Sequence, residues 1–377
     1  MTTFNRAEAR IDLDRITANV AHLKNIAGVD LMAVVKADAY GHGLVPVARA
    51  ALAGGATSLG VALLEEAIAL RDGGITAPIL AWLVPPGSDF HLAVERNIDL
   101  AASSMIALQE ISAVKSSRRP RVHLEVDTGM TRGGFLSEWD LLGADDLVTV
   151  DIVGIFSHFA RADEPGEKQN HNQRARFIEM TKKLESLGIT DLLHHLSNSA
   201  ATLKDSDSRF DMVRTGIAMY GLTPDVKTLG TSVSLGLKAA MSLHAKLHLV
   251  KDVPAHSPVG YGATAITDRY TKLGIVAMGY ADGIPRIAQG AGIFVRGTRA
   301  PIIGRVSMDQ FVVDLGPDSA AISGEWVEVF GDGIAGGYTA EDWGSASGSI
   351  NYEIVTRIGP RVPRIYRSQS LTTEVGE

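Results

Sequence analysis

Short apolar runs alternate with amphipathic stretches over the first two thirds of the chain. The run LMAVV at residues 31–35 is apolar throughout, which is typical of a strand buried on both faces. We count eight such runs, at residues 31–35, 58–62, 78–82, 98–101, 121–126, 151–157, 192–197 and 211–213. Amphipathic or alanine-rich segments separate them, most clearly at residues 64–74 and 173–188. This alternation predicts an α/β fold with a (β/α)8 barrel, although a doubly wound open sheet would also produce it.

An amphipathic helix is predicted just before the first of these strands. Ile16, Val20 and Leu23 recur at the spacing of one helix face. Asp14 is a residue type that caps helix N-termini, and Gly28 is a type that ends helices. We therefore expect the helix to begin after Asp14 and to end at Gly28.

The pattern changes after about residue 230. The segment MSLHAKLHLV at residues 241–250 alternates apolar and polar positions, and the later apolar runs are short and punctuated by Gly, Pro and Asp. Both features are typical of strands with one buried face. The sequence therefore predicts two domains, a barrel over residues 1–230 and a mostly-β domain over residues 231–377.

Composition and charge exclude several classes of protein. Of the 377 residues, 45% are hydrophobic and 21% are charged, as in ordinary globular proteins. The formal net charge is -7 and no block of Lys and Arg stands out, which argues against nucleic acid or an anionic membrane as a partner. The chain has no cysteine, so disulfides and thiolate chemistry are excluded.

No segment has the pattern of a secretory leader, a membrane span or a metal site. The first residues lack an apolar core, and the longest apolar stretches, such as residues 77–86, are far shorter than a bilayer crossing. The 11 histidines show no ligand spacing with carboxylates. We therefore expect a cytoplasmic protein without a metal ion.

The segment AVVKADAYGHG at residues 33–43 carries the most specific chemistry. Lys36 follows a continuous apolar strand and precedes a glycine-containing turn. At the carboxyl end of a barrel strand its amine would point into a pocket, where desolvation lowers the pKa of a lysine and lets the amine attack a carbonyl. The alternative is a lysine that ends a strand and reaches into solvent.

Residues 33–43 resemble the lysine signature of the alanine racemase family almost letter for letter, and the resemblance extends over almost the whole chain. Members of this family use pyridoxal 5'-phosphate (PLP) and have a (β/α)8 barrel followed by a mostly-β domain. The resemblance implies that Lys36 binds PLP as a Schiff base and that Tyr40 contacts the cofactor phosphate. It also implies a homodimer whose chains pair head to tail and share their active sites.

Two segments that follow the seventh and eighth predicted strands fit a phosphate site. They are HLSNSAA at residues 195–201 and MVRTGIAMYG at residues 212–221. Barrels often bind phosphate there, on backbone amides at the start of a helix. The alternative for the Asn-Ser pair is a helix cap, which is compatible with phosphate binding. The resemblance assigns cofactor binding to Asn198, Ser199, Gly216 and Ile217.

Arg214 and His158 are expected beside the cofactor ring. The resemblance places Arg214 against the pyridine nitrogen, and because arginine stays protonated it cannot hand that nitrogen a proton. The ring is then a weaker electron sink, which disfavours transamination. The resemblance places His158 between this arginine and a catalytic tyrosine. Taken singly, Arg214 would be a surface salt-bridge residue and His158 a hydrogen-bonded core residue.

Tyr261, in SPVGYGATA, is the second catalytic candidate. The resemblance makes it a base that the partner subunit contributes. Because a phenol is a weak acid, it needs help to exchange a proton near neutral pH, and a chain from Tyr261 through His158 to Arg214 could supply that help. A tyrosine between glycines could also be simple hairpin packing.

Substrate recognition is assigned by the resemblance to Arg132 and Met308. Arg132 would contact the carboxylate of alanine, and the backbone N–H of Met308 would donate to it. Many relatives have a carbamylated lysine where this chain has Glu125, whose negative charge could orient Arg132 without modification. Three further residues match the site entrance, and Tyr352 also matches a phosphate contact: Tyr280, Asp309 and Tyr352. For the two tyrosines, aromatic core packing is the alternative.

The resemblance implies racemisation of alanine by two-base proton transfer at Cα. Lys36 would serve D-alanine and Tyr261 would serve L-alanine. Two alternatives remain open, a PLP decarboxylase of the same architecture and a non-catalytic PLP-binding protein with a related barrel. The β domain with Tyr261 and Met308 argues against the second, because such proteins resemble only the barrel.

Overall fold

The computed structural model describes residues 6–368, which form two compact units. The barrel unit consists of Ile16–Ala39 and Leu44–Leu237. The β unit consists of the described residues up to Arg15, the segment Tyr40–Gly43 and the described residues from Lys238 onward.

Strand β1 (Ala7–Asp12) leads directly into helix α1 (Leu13–Ala27). The expected start of this helix after Asp14 is wrong, because Asp14 lies inside the first turn. The Asp12 carboxylate accepts a backbone N–H of that turn at 3.0 Å and so performs the capping. The expected end is confirmed, since Gly28 follows the helix with a φ of 69°, a conformation that favours glycine.

Eight parallel strands form a nearly closed barrel. They are β2 (Asp30–Val34), β3 (Ser58–Val61), β4 (Ile79–Ala81), β5 (Asp99–Ala102), β6 (Arg121–Glu125), β7 (Asp151–Phe156), β8 (Leu193–His195) and β9 (Met212–Thr215). Strands β2 to β8 pair in chain order, and β9 returns beside β2. The Arg214 N–H bridges the remaining seam by donating to the Ser197 carbonyl at 2.9 Å. Each predicted apolar run overlaps one strand, so the barrel is confirmed and the open sheet is excluded.

Helices or turns connect successive barrel strands, as the repeating pattern requires. The connecting helices are α2 (Lys36–Gly41), which is left-handed over residues 37–40, α3 (Leu44–Ala53), α4 (Leu64–Asp72), α5 (Phe90–Glu95), α6 (Met105–Ser112), α7 (Lys168–Ser186) and α8 (Ser199–Lys204). Helix α9 (Val226–Leu229) follows the last barrel strand. Between β6 and β7 two short 3₁₀ helices, Ser137–Leu141 and Ala144–Leu147, stand where an α-helix would be expected.

Side chains fill the inside of the barrel. One buried apolar cluster consists of Met32, Leu80, Ala101, Phe156 and Met212. Polar side chains are buried in the same strands, among them His123 in β6 and His195 in β8. A buried polar group needs a partner, so these histidines indicate a hydrogen-bonded network inside the barrel.

The β unit contains a second eight-stranded sheet. Its further elements are β10 (Met241–Val253), β11 (Pro258–Val259), β12 (Ala265–Ile266), β13 (Thr271–Val276), β14 (Gly292–Val295), β15 (Thr298–Pro301), β16 (Phe311–Gly316), β17 (Trp326–Phe330), α10 (Ala340–Ala346), α11 (Asn351–Thr356) and β18 (Arg364–Arg367). The main path is β15–β14–β17–β10–β1–β18, and β13 pairs with β10 and β16. Strands β11 and β12 form a separate two-stranded ribbon.

Strand β1 belongs to this second sheet and not to the barrel. It pairs antiparallel with β10, with Ala9 opposite Leu243, and parallel with β18. Buried and partly exposed residues alternate along it, as in a strand with one covered face. The predicted boundary at residue 230 therefore placed this strand in the wrong unit, because it assigned the whole N-terminal segment to the barrel.

Candidate active site

The carboxyl ends of the barrel strands bring predicted site residues to one end of the barrel. In chain order they are Lys36 after β2, Glu125 at the end of β6, His158 after β7, Asn198 and Ser199 after β8, Arg214 in β9, and Gly216 and Ile217 after β9. Active sites of such barrels lie at this end.

Lys36 has a desolvated amine. Burial lowers the pKa of Lys36, and the positive charge of Arg132 lowers it further, while Glu66 opposes the shift. The amine lies 5.9 Å from the ring centroid of Trp82, within cation–π range. A lysine in this environment is more often unprotonated than a surface lysine, so it can act as a nucleophile or a base.

A left-handed turn follows Lys36 directly. The four residues 37–40 have φ angles between 53° and 54°, which is disfavoured by about 1–2 kcal/mol for each non-glycine residue. Two carboxylates hold the turn: Ala37 N–H donates to Glu66 at 2.5 Å, and Leu44 N–H donates to Asp38 at 2.8 Å. Strained backbone of this kind is typical of functional sites, and here it fixes the exit of the chain from Lys36.

Arg214 is buried and points into the barrel, so the surface salt-bridge alternative does not hold. Its guanidinium donates to the carbonyls of Ser157 and His195, each at 2.6 Å. Burial lowers the pKa of Arg214 to about 10, and the charge of Glu125 opposes the shift. The side chain therefore remains a cation at neutral pH and cannot give up a proton there.

His158 lies beside this arginine. Its Nδ1 is 3.3 Å from the Arg214 guanidinium. Burial lowers the pKa of His158 to about 3, and the neighbouring positive charges of Arg214, Arg132 and Lys36 contribute. The imidazole is therefore neutral at physiological pH. Because Arg214 can only donate, Nδ1 accepts and the ring hydrogen lies on Nε2.

Ser199 and the turn after β9 form a cluster of hydrogen-bond donors. The Ser199 hydroxyl oxygen accepts the N–H of Gly216 at 2.9 Å and the N–H of Ala218 at 3.4 Å. With its oxygen engaged by two donors, the hydroxyl can give its hydrogen to an acceptor such as a phosphate. Asn198 caps α8 by accepting the Ala201 N–H at 3.1 Å, which is the structural role that the sequence left open.

Glu125 and Arg132 interact through space. Burial raises the pKa of Glu125, and the charges of Arg132 and Arg214 oppose the shift. Arg132 is exposed, and between residues 6 and 368 no hydrogen bond or ion pair within 4.0 Å joins it to Glu125. The direct pairing of these two side chains therefore stays a prediction.

In the β unit, Tyr40 and Tyr352 lie together. Their ring centroids are 6.3 Å apart at an angle of 46°. Tyr40 is almost fully buried, and burial raises its pKa strongly. Gly41 allows this close packing, because a Cβ there would lie 2.4 Å from the Val355 carbonyl oxygen of α11.

The other predicted residues of the β unit lie in exposed segments. Tyr280 N–H donates to the Ser307 carbonyl at 3.0 Å, which holds Tyr280 next to the Met308 segment. Asp309 pairs with Arg361 at 2.7 Å. Tyr261 is 71% exposed, so packing in a hairpin core does not explain it.

Residues 6–368 contain neither a membrane-spanning helix nor a metal-binding cluster. No helix of this part of the chain has both the length and the apolar character of a membrane crossing. No group of three or more histidines and carboxylates in it could hold a metal ion.

Comparison with known proteins identifies the family. The family model "Alanine racemase, N-terminal domain" matches residues 11–224, and the model "Alanine racemase, C-terminal domain" matches residues 240–366. The chain belongs to the alanine racemase family. The alanine racemase of Salinispora arenicola is 48% identical over 371 residues, covering 96% of this chain and 98% of the relative. The alanine racemase of Thermobifida fusca is 48% identical over 370 residues, with the same coverage.

Solved structures of the alanine racemase family share the whole architecture. The alanine racemase of Streptomyces lavendulae is 45% identical, with a TM-score of 0.95, and the match covers 99% of this chain and 100% of that one. The alanine racemase of Bacillus anthracis, solved with bound L-Ala-P, is 37% identical with a TM-score of 0.89, covering 98% of this chain and 97% of that one. The likeness therefore includes both the barrel and the mostly-β domain.

Three side chains beside the candidate site were not predicted from the sequence. Trp82 lies under the Lys36 amine, and His195 contacts Arg214, with Nδ1 3.2 Å from the guanidinium. His123 contacts His195 in turn at 2.9 Å. Both histidines stand inside otherwise apolar strand runs, RVHLEV and LLHHLS, and that placement was the available signal.

Proposed function

We propose that this protein is an alanine racemase that interconverts L-alanine and D-alanine. The observation that carries the proposal is the full-length similarity to alanine racemases, which covers 96% of this chain at 48% identity. The barrel unit supports it with a desolvated lysine, a buried arginine and a neutral histidine at one barrel end.

The cofactor proposed for the barrel unit is PLP, and the residues present fit it. Lys36 offers an amine of lowered pKa for covalent attachment to an aldehyde. Ser199 offers a hydroxyl hydrogen to a phosphate oxygen, and Ile217 offers a backbone N–H at the first position of a 3₁₀ turn, where it has no partner within the turn. When bound, PLP supplies the electron sink that makes the Cα–H bond of an attached amino acid acidic. Further proposed contacts are Tyr40, Asn198, Gly216 and Tyr352.

Two side chains move the proton at Cα in this proposal. The Nζ of Lys36 takes or gives the proton on the face that corresponds to D-alanine. The hydroxyl of Tyr261, contributed by a second copy of the chain, takes or gives it on the face that corresponds to L-alanine. After one turnover, one residue has gained a proton and the other has lost one. Each returns to its starting protonation state when the reaction runs in reverse or when the residue exchanges a proton with solvent, so the two act as a pair.

Arg214 and His158 control where protons go. Arg214 remains a cation and has no proton to transfer at neutral pH, so it would leave the ring nitrogen of bound PLP unprotonated. His158 is neutral and accepts from Arg214, so its Nε2–H is available to orient the phenol of Tyr261. Arg132 and the Met308 N–H are proposed to bind the alanine carboxylate, and Tyr280 and Asp309 to border the entrance. We also propose that the protein forms a homodimer with shared active sites and that it is cytoplasmic.

The direct test is chiral analysis of the reaction. Purified protein loaded with PLP should convert L-alanine to D-alanine, detected by chiral chromatography, and should do the reverse equally well. Release of carbon dioxide from an amino acid, without racemisation, would identify a decarboxylase. Cofactor binding without either reaction would identify a non-catalytic PLP-binding protein.

Arg214→Gln should slow racemisation and increase transamination. A neutral amide leaves the ring nitrogen free to take a proton, so the ring becomes a stronger electron sink. We expect at least about a tenfold rise in pyruvate formed per racemisation event, which corresponds to about 1.4 kcal/mol in relative barrier heights. Coupled lactate dehydrogenase measures pyruvate. Arg174→Gln removes an arginine of α7 that pairs with Asp205, and it should leave the ratio unchanged.

Glu125→Gln should raise KM for alanine about five- to tenfold. Loss of a buried negative charge near Arg132 removes roughly 1 kcal/mol of the electrostatic attraction that orients this arginine. Because burial raises the pKa of Glu125, the native protein should lose the same interaction on acidification, while the variant should lack this pH dependence. Added bicarbonate should change KM for alanine in neither the native protein nor the variant. Glu65→Gln, at an exposed position of α4, is the control. A clear bicarbonate dependence of the native enzyme would show that a lysine carries a carbamate.

A further inference from the structure

A continuous row of polar side chains runs through the barrel interior to Arg214. Arg121 donates to both oxygens of Asp99, at 2.7 and 3.3 Å. The Nε2 of His123 lies 3.6 Å from an oxygen of the same carboxylate, just outside hydrogen-bond distance. The Nδ1 of His123 is 2.9 Å from the Nε2 of His195, and the Nδ1 of His195 is 3.2 Å from the Arg214 guanidinium. The row therefore has a carboxylate at one end and a guanidinium at the other.

The surroundings hold both rings in place. His123 is 3% exposed and His195 is 0% exposed. Phe156 stacks on His195 with the centroids 5.1 Å apart and the planes at 15°. Gly154 leaves the space for His123, since a Cβ at that glycine would lie 2.2 Å from the Nδ1 of His123. Neither ring can turn over without displacing its neighbours.

The two ends of the row impose the same order of hydrogens. A guanidinium only donates, so the Nδ1 of His195 must accept and its hydrogen lies on Nε2. That hydrogen points at the Nδ1 of His123, which must accept in turn. The hydrogen of His123 then lies on Nε2 and faces the carboxylate of Asp99, which only accepts when ionised. The contacts with His123 and Arg121 outweigh burial and hold the pKa of Asp99 below its usual range.

We propose that Asp99 and His123 are positioning residues that act through His195: they keep its hydrogen on Nε2, so that its Nδ1 accepts from Arg214 and fixes the guanidinium. The effect on catalysis rests on the proposed function, whereas the order of hydrogens does not. With the opposite order, two N–H groups would face each other at Arg214, and the guanidinium would lose its orientation toward Ser157 and His158.

The order of hydrogens can be measured on the native, cofactor-loaded protein. Long-range ¹H–¹⁵N spectra of ¹⁵N-histidine-labelled protein distinguish a ring with hydrogen on Nε2 from one with hydrogen on Nδ1. We expect both His123 and His195 to carry a hydrogen on Nε2 and none on Nδ1. Hydrogen on Nδ1 of either ring overturns the proposal. This result is independent of whether the protein racemises alanine, so it separates failure of the inference from failure of the proposed function.

Asp99→Asn tests the control by the carboxylate. The amide oxygen would accept from Arg121, and the amide N–H₂ would face the Nε2–H of His123, so the two ends of the row would impose opposite orders of hydrogens on the rings between them. We expect the Nδ1 form in the spectra and kcat lowered about tenfold or more, with KM changed less than about twofold. Asp211→Asn is the matched control, because Asp211 pairs at 2.8 Å with His194, the neighbouring but partly exposed histidine. Unchanged tautomers and unchanged kcat in folded Asp99→Asn overturn the proposal; if that variant does not fold, the native spectrum decides.

Discussion

Lys36→Ala should reduce racemisation to the uncatalysed background and abolish covalent attachment of the cofactor. The substitution removes both the amine proposed to anchor PLP and one of the two groups proposed to move the Cα proton. Borohydride treatment of the native, PLP-loaded protein should fix the cofactor irreversibly to one peptide. Mass spectrometry should place it on the Nζ of Lys36.

The contrast with another barrel lysine makes this prediction specific. Lys24, near the end of α1, pairs with Asp30 at 3.0 Å on the barrel surface, so Lys24→Ala should retain activity and labelling. Both variants should melt cooperatively, which excludes unfolding as the cause of any loss. Labelling of a different lysine in the native protein would contradict the assignment of Lys36.

Mixing two inactive variants should restore activity if the site is shared between chains. Lys36→Ala and Tyr261→Phe should each lower activity by at least about 100-fold when purified alone, since each removes one of the two proposed acid–base groups. In a hybrid dimer, one site carries both substitutions and the other carries neither. Random pairing makes half of the dimers hybrids with one intact site each, so activity should recover to about a quarter of the native value.

The hybrid experiment has a clear negative outcome and a matched control. Tyr270→Phe alters another exposed tyrosine of the β unit, one that donates to Asp252, and should leave activity near the native value. Two affinity tags on the two variants verify that hybrids form. Activity no greater than the sum of the two inactive parents, with hybrids present, would show that Lys36 and Tyr261 serve the same site within one chain.

Much of the barrel could be predicted because its strands are buried on both faces. Such strands appear as short continuous apolar runs, and eight of them separated by helical patterns leave few other folds. Strand β1 was assigned to the wrong unit, because its partner β10 begins more than 200 residues later and a local pattern does not reveal such pairing. The start of α1 was misplaced because Asp12 and Asp14 are equally good caps by residue type.

The site could be predicted where a residue is chemically distinctive and not where tertiary packing decides. Lys36 stands out because a charged residue directly follows a continuous apolar run. His123 and His195 did not stand out, since their importance lies in a contact between β6 and β8. The left-handed turn at residues 37–40 has no local signal, because none of the four residues is a glycine. Its geometry depends on Glu66, from a different barrel segment.

The origin of the product's Cα hydrogen tests the central claim, racemisation by two groups on opposite faces, most directly. L-alanine is incubated with the PLP-loaded enzyme in D₂O, and the first D-alanine formed is analysed by chiral mass spectrometry. Lys36 exchanges its hydrogens with solvent, so the account predicts that nearly all of this D-alanine carries deuterium at Cα while the remaining L-alanine carries almost none. D-alanine that retains the substrate's own hydrogen in a substantial fraction would contradict the account, because a single base would then have carried that hydrogen from one face to the other.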